Sequence, residues 1–199
     1  MDGANERRER KDAQRNMERV LRAAHALFAE RGADVTMEEV ARRAGVGVGT
    51  IYRRFPSKGH LFAAVSQTVC ADTRHCLQAA AQAEHDPLAK IRALVFAQYQ
   101  RCEEQAALLD PRQVAGQSGG AAFDREELYT TLHSLLRHAI LEGQQAGVIR
   151  EGDAAVLAAL CLELLSPRAF LNLTRLVGGR VEGAVDQAVR FVLLGLGAR

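Results

Sequence analysis

No stretch of the chain approaches the roughly 18 consecutive apolar residues that a membrane span needs. The opening residues, MDGANERRERKDAQRN, hold no apolar block of the kind a secretory signal carries. A cytoplasmic protein with no membrane partner is therefore expected. Paired cysteines are missing too. Cys70, Cys76, Cys102 and Cys161 form no CxxC and no repeat, which points to reduced thiols rather than a disulfide framework. There is no GxSxG elbow, no HExxH and no paired-cysteine metal motif, so no catalytic site is visible. Asp72, His75 and Cys76 fall within one or two helical turns but lack a fourth ligand. They read as a polar helix face, and neither a metal nor a cofactor is expected. Alternating strand-like runs are absent as well, which leaves an all-α fold.

What is present is helical periodicity, punctuated by glycine and proline, in a chain of 199 residues that is 48% hydrophobic and 25% charged. Met17, Val20, Leu21, Ala24, Leu27 and Phe28 recur on one helix face that ends at Gly32. Thr36 and Glu39 have the spacing of a capping box. They open a short second helix carrying Met37, Val40, Ala41 and Ala44, stopped by Gly45. A third short helix places Ile51 and Phe55 inward. Ser57 caps a long fourth helix reaching Glu84, and Asp86-Pro87 opens a fifth. Asp110-Pro111 suggests a short sixth, and residues 116–123 a loop. Asp124 and Glu127 form a capping pair before a helix closed by Gly147. Ala154 to Leu165 is apolar nearly all round and needs cover on most sides, from the core or from a partner subunit. Pro167 should split the chain after it. Val181 to Leu196 is the last of about nine helices.

The formal net charge is only +2, but it is unevenly spread. Residues 1–60 hold 13 Lys/Arg against 9 Asp/Glu, and the rest 13 against 15. A basic N-terminal part on a mildly acidic body suits contact with a polyanion. It disfavours a nucleoid-type protein, which would be basic throughout. Residues 1–12 read as a disordered basic tail.

The stretch RRAGVGVGTIYRRFPSKGHLF, residues 42–62, asks whether its glycines cradle a nucleotide. Gly45, Gly47 and Gly49 follow a helix, not a strand, and no Gly-Lys-Ser/Thr ending is present. A helix-turn-helix over residues 36–55 accounts for every residue. Gly45 supplies the left-handed turn, and Gly49 leaves backbone open to a DNA strand. Thr50, Tyr52 and Arg53 project outward with Arg54, and Lys58 follows. Hydroxyls suit phosphate, and arginine suits guanine O6/N7. Tyr52 could equally be half-buried packing, and one of the two adjacent arginines a solvated charge.

The run ERVLRAAHALFAERGADVTMEEVARRAGVGVGTIYRRFPSKGHLFAAV resembles the DNA-binding domain of TetR-type transcriptional regulators. The likeness covers residues 13–73. Ala24, Phe28, Thr36, Val40-Ala41, Ala44-Gly45-Val46, Gly49-Thr50-Ile51-Tyr52, Phe55 and Ser57-Lys58 carry it. It departs at Gly47 and Val48, where many members have serine and lysine, and at Arg54, where an aromatic is frequent. The resemblance implies a homodimer, formed through the last two helices, on a near-palindromic operator of double-stranded DNA. Thr36, Val48, Gly49, Thr50, Tyr52, Arg53 and Lys58 would be the DNA contacts. Residues 74–199 would form a ligand-binding and dimerisation domain. Phe96, Tyr99, Gln100, Tyr129, His133, Cys161 and Phe170 are the candidate lining of a pocket for a small apolar effector. The implied function is a repressor released by that effector, with a ligand-independent regulator or an activator as alternatives.

Overall fold

The computed structural model describes residues 2–107 and 120–198. Among them are nine α-helices: α1 Asp2–Arg31, α2 Met37–Ala44, α3 Val48–Arg54, α4 Lys58–Ala83, α5 Pro87–Ala107, α6 Gly120–Gln145, α7 Ala154–Leu164, α8 Pro167–Leu176 and α9 Val181–Leu196. The fold is all-α, as the periodicity required. The described residues divide into two compact units, residues 2–68 with 107 and 120–121, and residues 69–106 with 122–198. The division falls inside α4, slightly ahead of the 73/74 boundary expected.

In the first unit, α1 buries Val20, Ala24, Leu27 and Phe28 and ends at Gly32, whose φ is +59°. The Phe28 and Phe62 rings meet edge to face with centroids 5.3 Å apart. Ile51 and Phe55 are buried, which pins the inner face of α3. One expectation is corrected here: residues 2–12 are helical and continue α1 rather than forming a disordered tail. High charge suggested disorder, but Glu, Arg, Lys, Ala and Gln are strong helix formers and no proline interrupts them. Oppositely charged neighbours such as Asp12 and Arg15, 3.9 Å apart, sit one turn from each other.

The second unit has its own core, built on Leu77, Ile91, Leu94, Leu132, Leu136, Ile140 and Leu165. Asp86 caps α5 through the Ala89 N–H at 2.8 Å, with Pro87 at the first helical position. Helix α6 begins at Gly120, ahead of the Asp124 cap expected, so Asp124 and Glu127 lie within it. The start of the loop read at 116–123, and the sixth helix read at Asp110-Pro111, lie outside the described residues. Asp153 caps α7 through the Ala155 and Val156 N–H groups. Pro167 does split the chain. Ser166 accepts from the Ala169 N–H at 3.2 Å and starts α8, which separates α7 from α9. After α6 turns at Gly147, with φ +69°, the chain pairs with its own end. The Arg150 N–H donates to Leu196 O at 2.9 Å and the Ala198 N–H to Val148 O at 3.2 Å, around an antiparallel bridge of Ile149 and Gly197.

Candidate nucleic-acid interface

Helix α2 starts on a complete capping box. Thr36 Oγ1 accepts from the Glu39 N–H at 3.2 Å, and Glu39 Oε2 accepts from the Thr36 N–H at 2.9 Å. Glu39 also accepts from Arg31 at 2.5 Å. The Thr36 backbone N–H, then the Arg31 guanidinium, hold the Glu39 carboxyl down to about 2. Arg43 forks onto both oxygens of Glu30 at 2.8 Å each, tying α2 to α1. Helix α2 ends at Gly45, whose φ of +65° and ψ of +41° are left-handed. The Gly45 N–H donates to Arg42 O, and the Val46 N–H to Ala41 O. A side chain here would carry the cost of the left-handed region, about 1–2 kcal/mol.

Gly47 begins α3 in extended backbone, with no side-chain cap. A Cβ placed on it would meet only Thr50 Oγ1, at an ordinary 3.8 Å. Gly47→Ser is therefore expected to cap α3 and raise the stability of this unit by a few tenths of a kcal/mol. Chemical denaturation followed by circular dichroism checks it, and a loss of stability would contradict the geometry.

With Ile51 inward, α3 exposes Val48, Gly49, Thr50, Tyr52, Arg53 and Arg54, and Lys58 opens α4 on the surface. Six of the seven expected DNA contacts thus lie along α3 and the start of α4. The seventh, Thr36, is exposed at the start of α2. Tyr52 is 45% exposed. Its hydroxyl donates to Glu38 Oε1 at 3.4 Å. Thr36 Oγ1 likewise donates to Glu39 Oε2, at 3.3 Å. The Tyr52 hydroxyl, read as a phosphate donor, and the Thr36 hydroxyl of the capping box therefore each hold a carboxylate in this structure. The Glu38 contact escaped the sequence because it joins two helices across a turn. Beside α3, Thr50, Arg53 and Arg54 border an open groove of about 360 Å3 whose other wall is Ala13, Asn16, Met17 and Val20 of α1.

The expected effector pocket does not assemble from the residues named for it. Phe96 is 52% exposed, and Gln100 and Tyr129 are also on the surface. Tyr99 and Phe170 are core residues with ring centroids 5.4 Å apart. The Tyr99 hydroxyl donates to Leu164 O at 2.9 Å, and burial pushes it up to about 12. His133 is half-buried, with Nε2 3.1 Å from Ala155 O. Cys161, its thiol pushed up to about 11 by burial, borders an open apolar groove of about 150 Å3, and Phe96 borders another, of about 580 Å3. Helical phase explains the outcome. Consecutive residues such as Tyr99 and Gln100 point about 100° apart, and here Tyr99 is buried while Gln100 is exposed. Polar residues the sequence left unmarked fill this core instead: Gln98 donates to Leu165 O at 3.2 Å, and Thr73 to Val69 O at 2.8 Å.

Among the described residues no group of three or more His, Cys, Asp or Glu side chains could hold a metal ion. No single described helix is long and apolar enough to cross a membrane.

A capped helix, a left-handed glycine turn and a second helix with a polar outer face define a helix-turn-helix protein. The family model for bacterial regulatory proteins of the tetR family matches residues 20–65. An HTH-type transcriptional regulator of Staphylococcus aureus (strain USA300) is 43% identical over 53 residues, 26% of this chain and 29% of that one. The chain thus matches under a third of the length of such curated relatives. The crystal structure of a TetR transcription regulatory protein from Mycobacterium vanbaalenii covers 95% of this chain and 99% of its own, at 27% identity and a TM-score of 0.65. The fatty acid degradation regulator FadR of Bacillus halodurans shares the fold, with 19% identity, a TM-score of 0.69, and 90% and 98% coverage. Residues 20–65 form a helix-turn-helix, DNA-binding part of the kind found in the tetR family of bacterial regulatory proteins.

Proposed function

We propose that this protein is a homodimeric transcriptional repressor that binds a near-palindromic operator, with one α3 helix in the major groove of each half-site. The observation that carries the reading is the outer face of α3. Val48, Gly49, Thr50, Tyr52 and Arg53 are all exposed on a helix whose other side is anchored by Ile51. A single such helix touches few base pairs, whereas specificity of about 4–10 kcal/mol over random DNA needs two half-sites.

The dimer is supported by apolar side chains left uncovered on the second unit. Val156 and Leu160 of α7 are 55% and 58% exposed, and Phe191 and Leu194 of α9 are 67% and 82% exposed. Leu160 and Phe191 border one groove, and Leu194 and Phe96 another. Apolar faces of this kind mark association surfaces. These are the two helices, over residues 154–165 and 181–196, that the sequence offers for a dimer, with α8 between them in the chain.

Release by a small apolar effector stays part of the proposal on the family resemblance. The scatter of the expected lining residues favours the second reading, a regulator that needs no ligand at those positions. The groove beside Cys161, at about 150 Å3, is smaller than the ~300–1,000 Å3 of ordinary ligand sites, whereas the one beside Phe96, at about 580 Å3, falls within that range.

Selection of bound duplexes from a random pool tests the main reading. Sites should emerge as inverted repeats with centres about one helical turn or slightly more apart. Arg53→Ala should change base preference at one position in each half-site, while Lys58→Ala weakens all duplexes alike. No enriched sequence, or equal weakening by both variants, would count against base reading by α3.

A further inference from the structure

We propose that the groove between α1 and α3 is a binding site for a compact apolar carboxylate, which competes there with DNA for Arg53. The competition rests on the DNA-binding reading above, whereas the site itself stands on the chemistry of the groove.

Ala13, Asn16, Met17 and Val20 recur at intervals of three and four residues, so they share one face of α1. On α3, Thr50 and Arg54 are likewise four apart, with Ile51 beside them. The two faces meet over a floor of Val20, Ile51 and Phe55, all of them buried. Above that floor the α1 wall is low, since Ala13 has only a methyl group and Asn16 is short. An open space of about 360 Å3 is left, within the ~300–1,000 Å3 of ordinary ligand sites. It lies in the first unit, apart from every position first read as an effector pocket.

The lining is apolar below and cationic above. Met17 adds a flexible thioether, which adapts to irregular partners and sits well against an aromatic ring. Arg53 and Arg54 are the charged residues of the described lining, which holds no Asp or Glu. Among the described residues neither arginine is in an ion pair. Asp12 and Glu18, at neighbouring positions of α1, are engaged by Arg15 and Gln14. Asn16 Oδ1 accepts from Arg19 at 3.5 Å, so its Nδ2 remains a neutral donor.

Guanidinium groups above an apolar floor select a ligand with one anionic end and one apolar end. Inorganic phosphate supplies the charge but has nothing for the floor, and a neutral hydrocarbon does the reverse. A carboxylate on a small aromatic body satisfies both, because arginine forks onto a carboxylate through two parallel hydrogen bonds. Occupation bears on DNA because Arg53 is exposed on the reading face of α3. A guanidinium forked onto a carboxylate is not available to a guanine, so ligand and operator exclude each other. Operator affinity then falls by one plus the ratio of ligand concentration to its dissociation constant, about elevenfold at ten times that constant.

The test uses the full chain, with naphthoate as the probe, naphthylmethanol as its uncharged analogue and inorganic phosphate as the charge alone. Calorimetric titration should show saturable binding of naphthoate, about tenfold weaker binding of naphthylmethanol, and none of phosphate at the same concentrations. Arg54→Gln should remove most of the gap between naphthoate and naphthylmethanol. Ala13→Phe, which places a ring in the open space from an exposed position, should abolish binding of both and leave the helical circular dichroism unchanged. With an operator duplex recovered by selection, naphthoate at ten times its dissociation constant should weaken the unsubstituted protein about elevenfold and leave Ala13→Phe unaffected. No saturable naphthoate binding, binding that survives Ala13→Phe, or phosphate binding as tight as naphthoate overturns the site. Naphthoate binding that Ala13→Phe removes, with no effect on operator affinity, upholds the site and overturns the competition. A protein that binds naphthoate in this way but no duplex overturns the DNA-binding reading and leaves the site standing.

Discussion

Leu160→Arg combined with Phe191→Arg is expected to yield a monomer at micromolar concentration that binds operator DNA about a thousandfold more weakly. The two side chains are 58% and 67% exposed and border the same apolar groove. In a two-fold interface each substitution occurs twice, so four charges would enter one apolar surface. Buried interface anchors are commonly worth about 2 kcal/mol or more each, and an unpaired buried charge costs more than the lost contact. A monomer keeps one reading helix and loses the second half-site, which returns affinity toward the nonspecific level, about 10³-fold or more below specific binding. Neither side chain supports the core of its own unit, so thermal unfolding of that unit should barely move. Light scattering with a binding titration decides the matter. A double variant that remains dimeric places the interface elsewhere.

Phe28→Ala should destabilise the first unit by about 3–5 kcal/mol, the cost of emptying a large aromatic site. Phe28 is 2% exposed and sets its ring edge to face against Phe62, 5.3 Å away. That pair joins α1 to the start of α4, within the unit whose core also anchors Ile51 and Phe55 of α3. Phe28→Leu should retain much of the loss as a smaller cavity. Because the chain forms two units, a single global transition is a poor readout. Amide exchange at α2 and α3 is the measurement, and protection there should fall steeply in the alanine variant. Unchanged protection would mean that the helix-turn-helix does not depend on this ring pair.

The two units differ in how much of them could be read from sequence. The helix-turn-helix was legible because local rules fix it. The capping box needs only Thr36 and Glu39 three residues apart, the turn needs Gly45, and the anchors Ile51 and Phe55 are four apart. All three appear in the structure where the spacing put them. Contacts between helices were not legible at that level. The Tyr52–Glu38 pair depends on how α2 crosses α3, and nothing at a sequence separation of 14 announces it. In the second unit, aromatic and polar residues inside apolar helices suggested a pocket. Periodicity could have separated Tyr99 from Gln100, but it does not say which face of α5 meets a neighbour. Phe96 is exposed, while Tyr99 packs on Phe170. The helical start of the chain was missed for another reason, since charge content outweighed helix propensity in the reading of residues 2–12.

The backbone pairing of Val148–Arg150 with Leu196–Ala198 has a consequence for association. It closes a ring of chain, and α7, α8 and α9 all lie inside that ring. Val156, Leu160, Phe191 and Leu194 are carried on two helices whose outer ends are fastened to each other. Surfaces drawn from loose segments must freeze out their own motion on contact, at about 0.5–1.5 kcal/mol for each side chain immobilised, with backbone ordering added. Here the backbone share of that ordering is already met within the folded protomer. The apolar face is preorganised, so two protomers would meet as finished surfaces, and less of the energy of contact is spent on shaping them.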